Sequence, residues 1–265
     1  MLERKNQILL TELVKTDVKL RNQGSAIGYI WSVLKPLMLF AVMYVVFIKF
    51  LRFGADVPHF AIALLLGMVL WNFFVETTNM GMMAIVNRGD LIRKLSFPTE
   101  IIVLSVSLNA LINLLISLVI VFIFGLINGV TISPLAIVSP LLLIELYALA
   151  LGVAFILATI YVRFRDIGPI WEVILQIGMY ATPLIYPVTM VLNQSRLIGQ
   201  LLLFNPMAQI IQDMRHLLTS PANLTIWQLV DQKWLAIIPY LLPFVILLIG
   251  YRYFKKNAKK FAEII

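Results

Sequence analysis

Long apolar stretches almost free of charge, separated by short basic loops, constrain this chain more than any other feature. Residues 101–127 hold no charged side chain, and residues 135–162 hold a single one, Glu145. Roughly 20 apolar residues cross a hydrocarbon layer about 30 Å thick as an α-helix. Such a helix satisfies its own backbone where no water can. The fold class follows: an all-α polytopic membrane protein. Only 13% of the residues are charged, against about 25% in soluble domains.

Six transmembrane helices are expected, near residues 31–48, 60–75, 101–127, 135–162, 170–186 and 234–253. The second continues as a helix toward Val86. Ahead of them, residues 1–30 form a cytoplasmic segment with an amphipathic interface helix, in which Leu13 and its apolar neighbours alternate with Lys15, Lys19 and Arg21. Residues 31–253 form the transmembrane domain and residues 254–265 a basic cytoplasmic tail. Residues 188–233 are apolar but broken by Asn193, Arg196, Asn205-Pro206, Asp213 and Arg215. Short re-entrant or interfacial outer helices before the last span fit that pattern better than a crossing. The fifth span carries Pro183 and Pro187 in TPLIYP, which predicts a kinked helix end near Tyr186.

A net charge of +8 would suggest nucleic acid in a soluble protein. Here the basic residues sit between apolar runs, so they report topology and anionic headgroups instead. With the N-terminus inside, most Lys and Arg fall on the cytoplasmic side. Lys49, Arg52, Arg196, Arg215 and Lys233 fall outside. Both termini are therefore expected in the cytoplasm of a multi-pass protein. No cleavable signal peptide is expected. Cysteine is absent and His59 and His216 are isolated, so neither a disulfide framework nor a metal site is expected.

No catalytic constellation and no phosphate-cradling GxxxxGK[ST] loop occurs. The chain is therefore not expected to be an enzyme by itself. Tyr29, Trp31, Trp71, Trp171, Trp227 and Trp234 fall near the ends of spans, where an aromatic belt is the default. Phe40, Tyr44 and Phe47 share one face of the first span, and Tyr180 and Tyr186 lie in the fifth. As a set these five are candidate channel-lining residues, because sugars stack on aromatic rings; ordinary packing or lipid contact is the other reading. Charges inside spans mark sites or pairs. Glu145 is the most interior, and Glu172 has Arg163 and Arg165 as candidate partners. RFRDI is either a cytoplasmic gate, built from Arg163, Arg165, Asp166 and Glu172, or a plain turn in which Asp166 caps the next helix.

Five segments in order carry a resemblance: DVKLRNQGSAIGYIWSVLKPL, NRGDLIRKLSFP (residues 87–98), RFRDI, TPLIYP and NPMAQIIQDMRHLL. Together they resemble the permeases of polysaccharide and polyol-phosphate ABC exporters (O-antigen, capsule, teichoic acid), which are type-2 ABC transporter permeases. Where that family often has an Arg-Tyr-Arg type cluster, this chain has Leu20, Arg21, Asn22 and Gln23, which leaves the details of substrate admission open. The resemblance implies a bacterial cytoplasmic (inner) membrane protein that pairs with a second copy of itself and with two ABC ATPase chains. Those partners would bind ATP and Mg; this chain would hold no cofactor. The substrate implied is a polyprenyl- or lipid-linked glycan, with no role for nucleic acid. NRGDLIRKLSFP becomes the ATPase-coupling loop, with Arg88, Asp90, Leu91, Ile92, Arg93, Lys94 and Leu95 as contacts. The N-terminal helix would touch the ATPase as well as anchor at the headgroups, and residues 188–233 would form the outer gate. Rival readings are an exporter of drugs or small lipids, a proton-coupled secondary transporter, and a membrane-embedded transferase.

Overall fold

The computed structural model describes residues 4–22, 28–94, 96–131 and 133–264. Among these the regular elements are all helical. In chain order they are α1 (Arg4–Asn22), α2 (Gly28–Met43), α3 (Phe60–Asn87), α4 (Gly89–Lys94), α5 (Glu100–Ile127), α6 (Ser139–Arg163) and α7 (Ile167–Ala181). After these come α8 (Val188–Gln194), α9 (Arg196–Leu203), α10 (Pro206–Leu218), α11 (Ile226–Leu229), α12 (Ile238–Asn257) and α13 (Phe261–Ile264).

Four helices are long and apolar enough to cross a membrane: Phe60–Asn87, Glu100–Ile127, Pro134–Arg163 and Leu235–Ile264. At 1.5 Å per residue, the 28 residues of α3 reach about 42 Å, beyond the ~30 Å hydrocarbon layer. Of the apolar windows of α3 and α6, 78% and 67% are buried, against 22% for α5 and for the last helix. The first two are therefore the centre of the bundle, and α5 and α12 turn most of their surface outward.

Two further apolar helices are shorter, Leu37–Phe50 and Ile167–Ala181. The first ends in a π-helical stretch, Tyr44–Phe50, whose wider turn is sealed by the Leu51 amide donating to the Val46 carbonyl at 3.0 Å. The second stops at Ala181, five residues before the end expected from sequence at Tyr186. The residue ahead of a proline is driven out of the helical region, and Thr182, before Pro183, is extended at φ −104°, ψ 133°. Residues 182–187 leave the helix as a loop.

Small residues set the closest approaches, as they do where packing rather than water drives helix association. A Cβ on Gly152 of α6 would stand 2.6 Å from the Leu247 amide nitrogen of α12, and one on Gly81 of α3 would stand 2.6 Å from the Ala154 Cβ of α6. Between α6 and α12 backbone meets backbone, with Gly250 facing the Gly152 carbonyl.

The expected outer segment is a chain of short helices, α8 to α11. Asn205 starts α10 by accepting from the Met207 amide at 3.0 Å with Pro206 at the first helical position. Asn205 also donates to Thr182 Oγ1 at 3.2 Å, tying this start to the loop after α7. At the opposite end of the bundle, Phe261 of the basic tail is buried in a cluster with Phe254, Val162 and Ile102, and Ile92 and Phe97 pack against it. The tail folds onto the segment around α4 rather than trailing in solvent.

Candidate functional site

Arg88 is the hub of the basic end. It terminates α3, and its carbonyl accepts from the Leu91 and Ile92 amides at 3.1 and 3.2 Å, which starts α4. Its guanidinium pairs with Asp17 of α1 and donates to Ser105 Oγ of α5 at 3.1 Å. Asn109 of α5 donates to the other Asp17 oxygen at 3.2 Å. One residue thus joins four helices, α3 and α4 through its backbone and α1 and α5 through its side chain, and the N-terminal helix is fastened to the segment that opens α4.

That arrangement divides the expected coupling residues. Asp90, Arg93 and Lys94 are exposed, whereas Leu91 and Ile92 are half-buried, with Ile92 against the core. Arg88 turns inward, with 18% of its side chain exposed. Leu95 lies outside the described residues. On α1, Lys15 and Lys19 are exposed and Leu13 is half-buried; Lys15 pairs with Glu12 at 3.0 Å. The side chain of Arg21 lies outside the described residues, as do those of Tyr29 and Trp31.

Of the aromatic set, Phe40 is buried in the main core. Its ring lies 6.0 Å from that of Tyr44, and Phe47 lies 5.6 Å from Phe53. Tyr180 is 60% exposed, and its carbonyl accepts from the Tyr186 hydroxyl at 2.9 Å. Helices α2 and α7 both pack against α3. Trp71 departs from the belt expected of it: it is buried beside Phe74. Trp234 is exposed.

At the α6–α7 turn Arg163, Arg165, Asp166 and Glu172 are all exposed. Asp166 stands at the start of α7 but its side chain makes no capping bond. Glu172 forms no ion pair with Arg163 or Arg165 among the described residues. The Arg165 guanidinium lies over the Tyr161 ring instead, 5.0 Å from its centre.

Sequence reading placed Asp213 and Arg215 in the broken segment 188–233, implied to be the outer gate. Both are buried, Arg215 completely. Arg215 Nε donates to the Ala63 carbonyl at 2.8 Å, Nη1 to the Pro183 carbonyl at 2.6 Å and Gln212 Oε1 at 3.1 Å, and Nη2 to the Leu184 carbonyl at 2.6 Å. It clamps α10 to the start of α3 and to the loop after α7. Asp213 accepts from Gln209 at 2.8 Å and from the Tyr240 hydroxyl. On this helix, which does not span, burial pushes the Asp213 carboxyl above its usual range, against the lowering effect of those two bonds. The signal for this cluster was the run of polar residues in NPMAQIIQDMRHLL, on a helix otherwise apolar enough to be buried. Among the described residues, no group of three or more His, Cys, Asp or Glu side chains is placed to hold a metal ion.

The profile of the ABC-2 type transporter family matches residues 9–219. The chain is 29% identical over 203 residues, 77% of each chain, to the O-antigen export system permease protein RfbA of Myxococcus xanthus. It is 24% identical over 258 residues to a protein of the same name from Klebsiella pneumoniae, covering 97% of this chain and 95% of the relative. A second Klebsiella pneumoniae protein of that name is 25% identical over 261 residues, with the same coverage. The match takes in α3 through α10, including the Arg88 hub and the Arg215 clamp, and the chain is an integral membrane protein belonging to the ABC-2 type transporter family.

Proposed function

We propose that this chain is the permease of an ATP-driven exporter that moves a lipid-linked polysaccharide of the O-antigen type across the bacterial cytoplasmic membrane. The observation that carries the reading is end-to-end similarity to relatives named O-antigen export permeases, over 97% of this chain in two of them. Leu37–Phe50 and Ile167–Ala181 supply the fifth and sixth crossings, and both termini lie in the cytoplasm. The basic ends of the loops support that orientation. Two copies enclose the route, and two ATPase chains bind below, each seating an α4 by its exposed Asp90, Arg93 and Lys94. ATP and Mg belong to those partners. Tyr44, Phe47, Tyr180 and Tyr186 offer rings along which a glycan slides, while Arg163, Arg165, Asp166 and Glu172 flank its cytoplasmic admission.

Reconstitution with the candidate ATPase tests the reading. ATP turnover is expected to rise when lipid-linked glycan is supplied. Turnover indifferent to glycan but stimulated by drugs or simple lipids would replace the substrate class. Failure of the two chains to copurify would remove the reading.

A further inference from the structure

Between α3, α5, α6 and α10, at the end of the bundle away from the basic tail, lies a cleft of about 320 Å³. Phe122 and Gly125 of α5 stand on one side of it and Ser139 and Leu143 of α6 on another, with Met214 and Thr219 of α10 and Ile62 of α3 behind them. Ile62 and Met214 are buried, whereas Phe122 is 52% exposed. The cleft therefore runs from the surface of the bundle into its core. The surface into which it opens is apolar: Val119 of α5 and Leu141 and Ile144 of α6 are each more than half exposed. From residue 101 to residue 144 there is no charged side chain.

The walls decide what can occupy this space. A buried water needs about 2–4 polar partners, and the lining side chains offer only the hydroxyls of Ser139 and Thr219. The Thr219 hydroxyl is already committed: it donates to the Arg215 carbonyl at 2.7 Å and accepts from Asn223 Nδ2 at 3.1 Å. Cavities with apolar walls stay dry and take up apolar molecules. A helix from a second copy is too bulky, since one turn, about 5.4 Å long and about 10 Å across, displaces about 420 Å³. An unbranched hydrocarbon chain is narrow, flexible and apolar, and hydrocarbon surrounds the spans of an integral membrane protein. Moving from bulk lipid into the cleft brings such a chain no hydrophobic gain, because both surroundings are apolar. Its gain is dispersion against walls that curve around it.

We propose that this cleft is a binding site for one acyl chain of a membrane phospholipid, which lodges between α5 and α6 and props α10 from the side. The chain enters past Phe122 and reaches Met214, the neighbour of Arg215 on α10. Recognition is by the tail and not by the headgroup, because the walls from α3, α5 and α6 carry no charge and the Arg215 guanidinium is spent on three carbonyls and Gln212. The lodged chain steadies the helix that carries the Arg215 clamp, and through it the loop at 182–187. The lipid tail thus acts as a structural part of the bundle at the end where α10 is seated.

The test uses the full-length chain in phosphatidylethanolamine nanodiscs that contain a little phosphatidylethanolamine with a diazirine at the end of one acyl chain. After irradiation, peptide mass spectrometry should find the label on α10 at Met214 and Leu218, which lipid coating the outside of the bundle does not reach. Phosphatidylglycerol carrying the same diazirine should label them equally well. Gly125→Phe should cut the α10 label about fivefold or more while leaving the label on Leu141 and Ile144 unchanged. Its first side-chain atom has room, since the nearest neighbour would stand 3.8 Å away, and its ring takes up the cleft. Ser139→Phe blocks from α6 instead and should act alike, so a folding failure of either variant leaves the other to decide. An unlabelled α10 in the native protein, or undiminished label in a folded blocked variant, would overturn the proposal. So would α10 labelled by a diazirine-bearing polyprenyl phosphate but not by the phospholipids, which assigns the cleft to an isoprenoid tail. Efficient disulfide formation between two copies of Phe122→Cys would overturn it as well, because a second copy then covers the mouth.

Discussion

Replacing Arg215 by Met keeps the unbranched stem of the side chain and removes its charged, donating head. The Ala63 carbonyl lies within α3 and keeps its helical donor. The carbonyls of Pro183 and Leu184 lie in a non-helical loop and lose bonds of 2.6 Å each. A buried acceptor left unpaired costs about 1–3 kcal/mol, so the two together cost about 2–6 kcal/mol. Part of that is returned because an ion no longer has to be buried. A net loss of about 3 kcal/mol is expected. Arg215→Lys should fall between native and Met, because a single ammonium cannot span acceptors arranged around a planar fork. Gly67→Ala should reproduce the loss from the other side, since its Cβ would stand 2.6 Å from Arg215 Nη2. The assay is equilibrium unfolding in mixed micelles by SDS titration, followed by tryptophan fluorescence. If Arg215→Met and Gly67→Ala both unfold at the native SDS fraction, the clamp contributes nothing and the reasoning fails.

Three further outcomes follow from the described contacts. Arg88→Asp should release α1 from the bundle, seen as faster amide exchange over residues 4–22, and adding Asp17→Arg should restore protection; loss of protection in both variants would deny the pair its role. Arg93→Glu with Lys94→Glu should abolish copurification of the ATPase while leaving the SDS midpoint unchanged, because both side chains are exposed; an intact, transporting complex would remove the coupling assignment. Tyr44→Ala and Tyr180→Ala should each slow export several-fold or alter polymer length, and export unchanged in both would deny the rings a place on the route.

What could be read from the sequence, and what could not, divides along a physical line. Helices α3, α5, α6 and α12 were visible because each is an uninterrupted apolar run, and hydrocarbon demands little else of a span. The end of α7 was misplaced because an apolar run says nothing of where a proline takes over: Ile185 and Tyr186 look like span but sit in a loop. Trp71 was assigned to the interface by its position along the chain, whereas its place in the core is set by α7 and Phe74. The Arg215 clamp reaches carbonyls 31, 32 and 152 positions away along the chain. It depends on how α10 packs against α3 and the loop at 182–187, for which no local pattern codes. Arg88 was read as a surface contact because nothing nearby in sequence announces Asp17 as its partner.

The bare-backbone contact at Gly152 and Gly250 has a mechanical consequence. With no side chain between them at that crossing, α6 and α12 have no rotamers to rearrange there, and farther along Phe155 packs on the Tyr251 and Phe254 rings, so the two helices form one stiff strut. α7, by contrast, touches α3 and α6 only lightly and presents Ile170, Val173, Ile177 and Tyr180 outward. Whatever widening this bundle undergoes is therefore borne by the α7 flank, while the strut serves as the fixed wall.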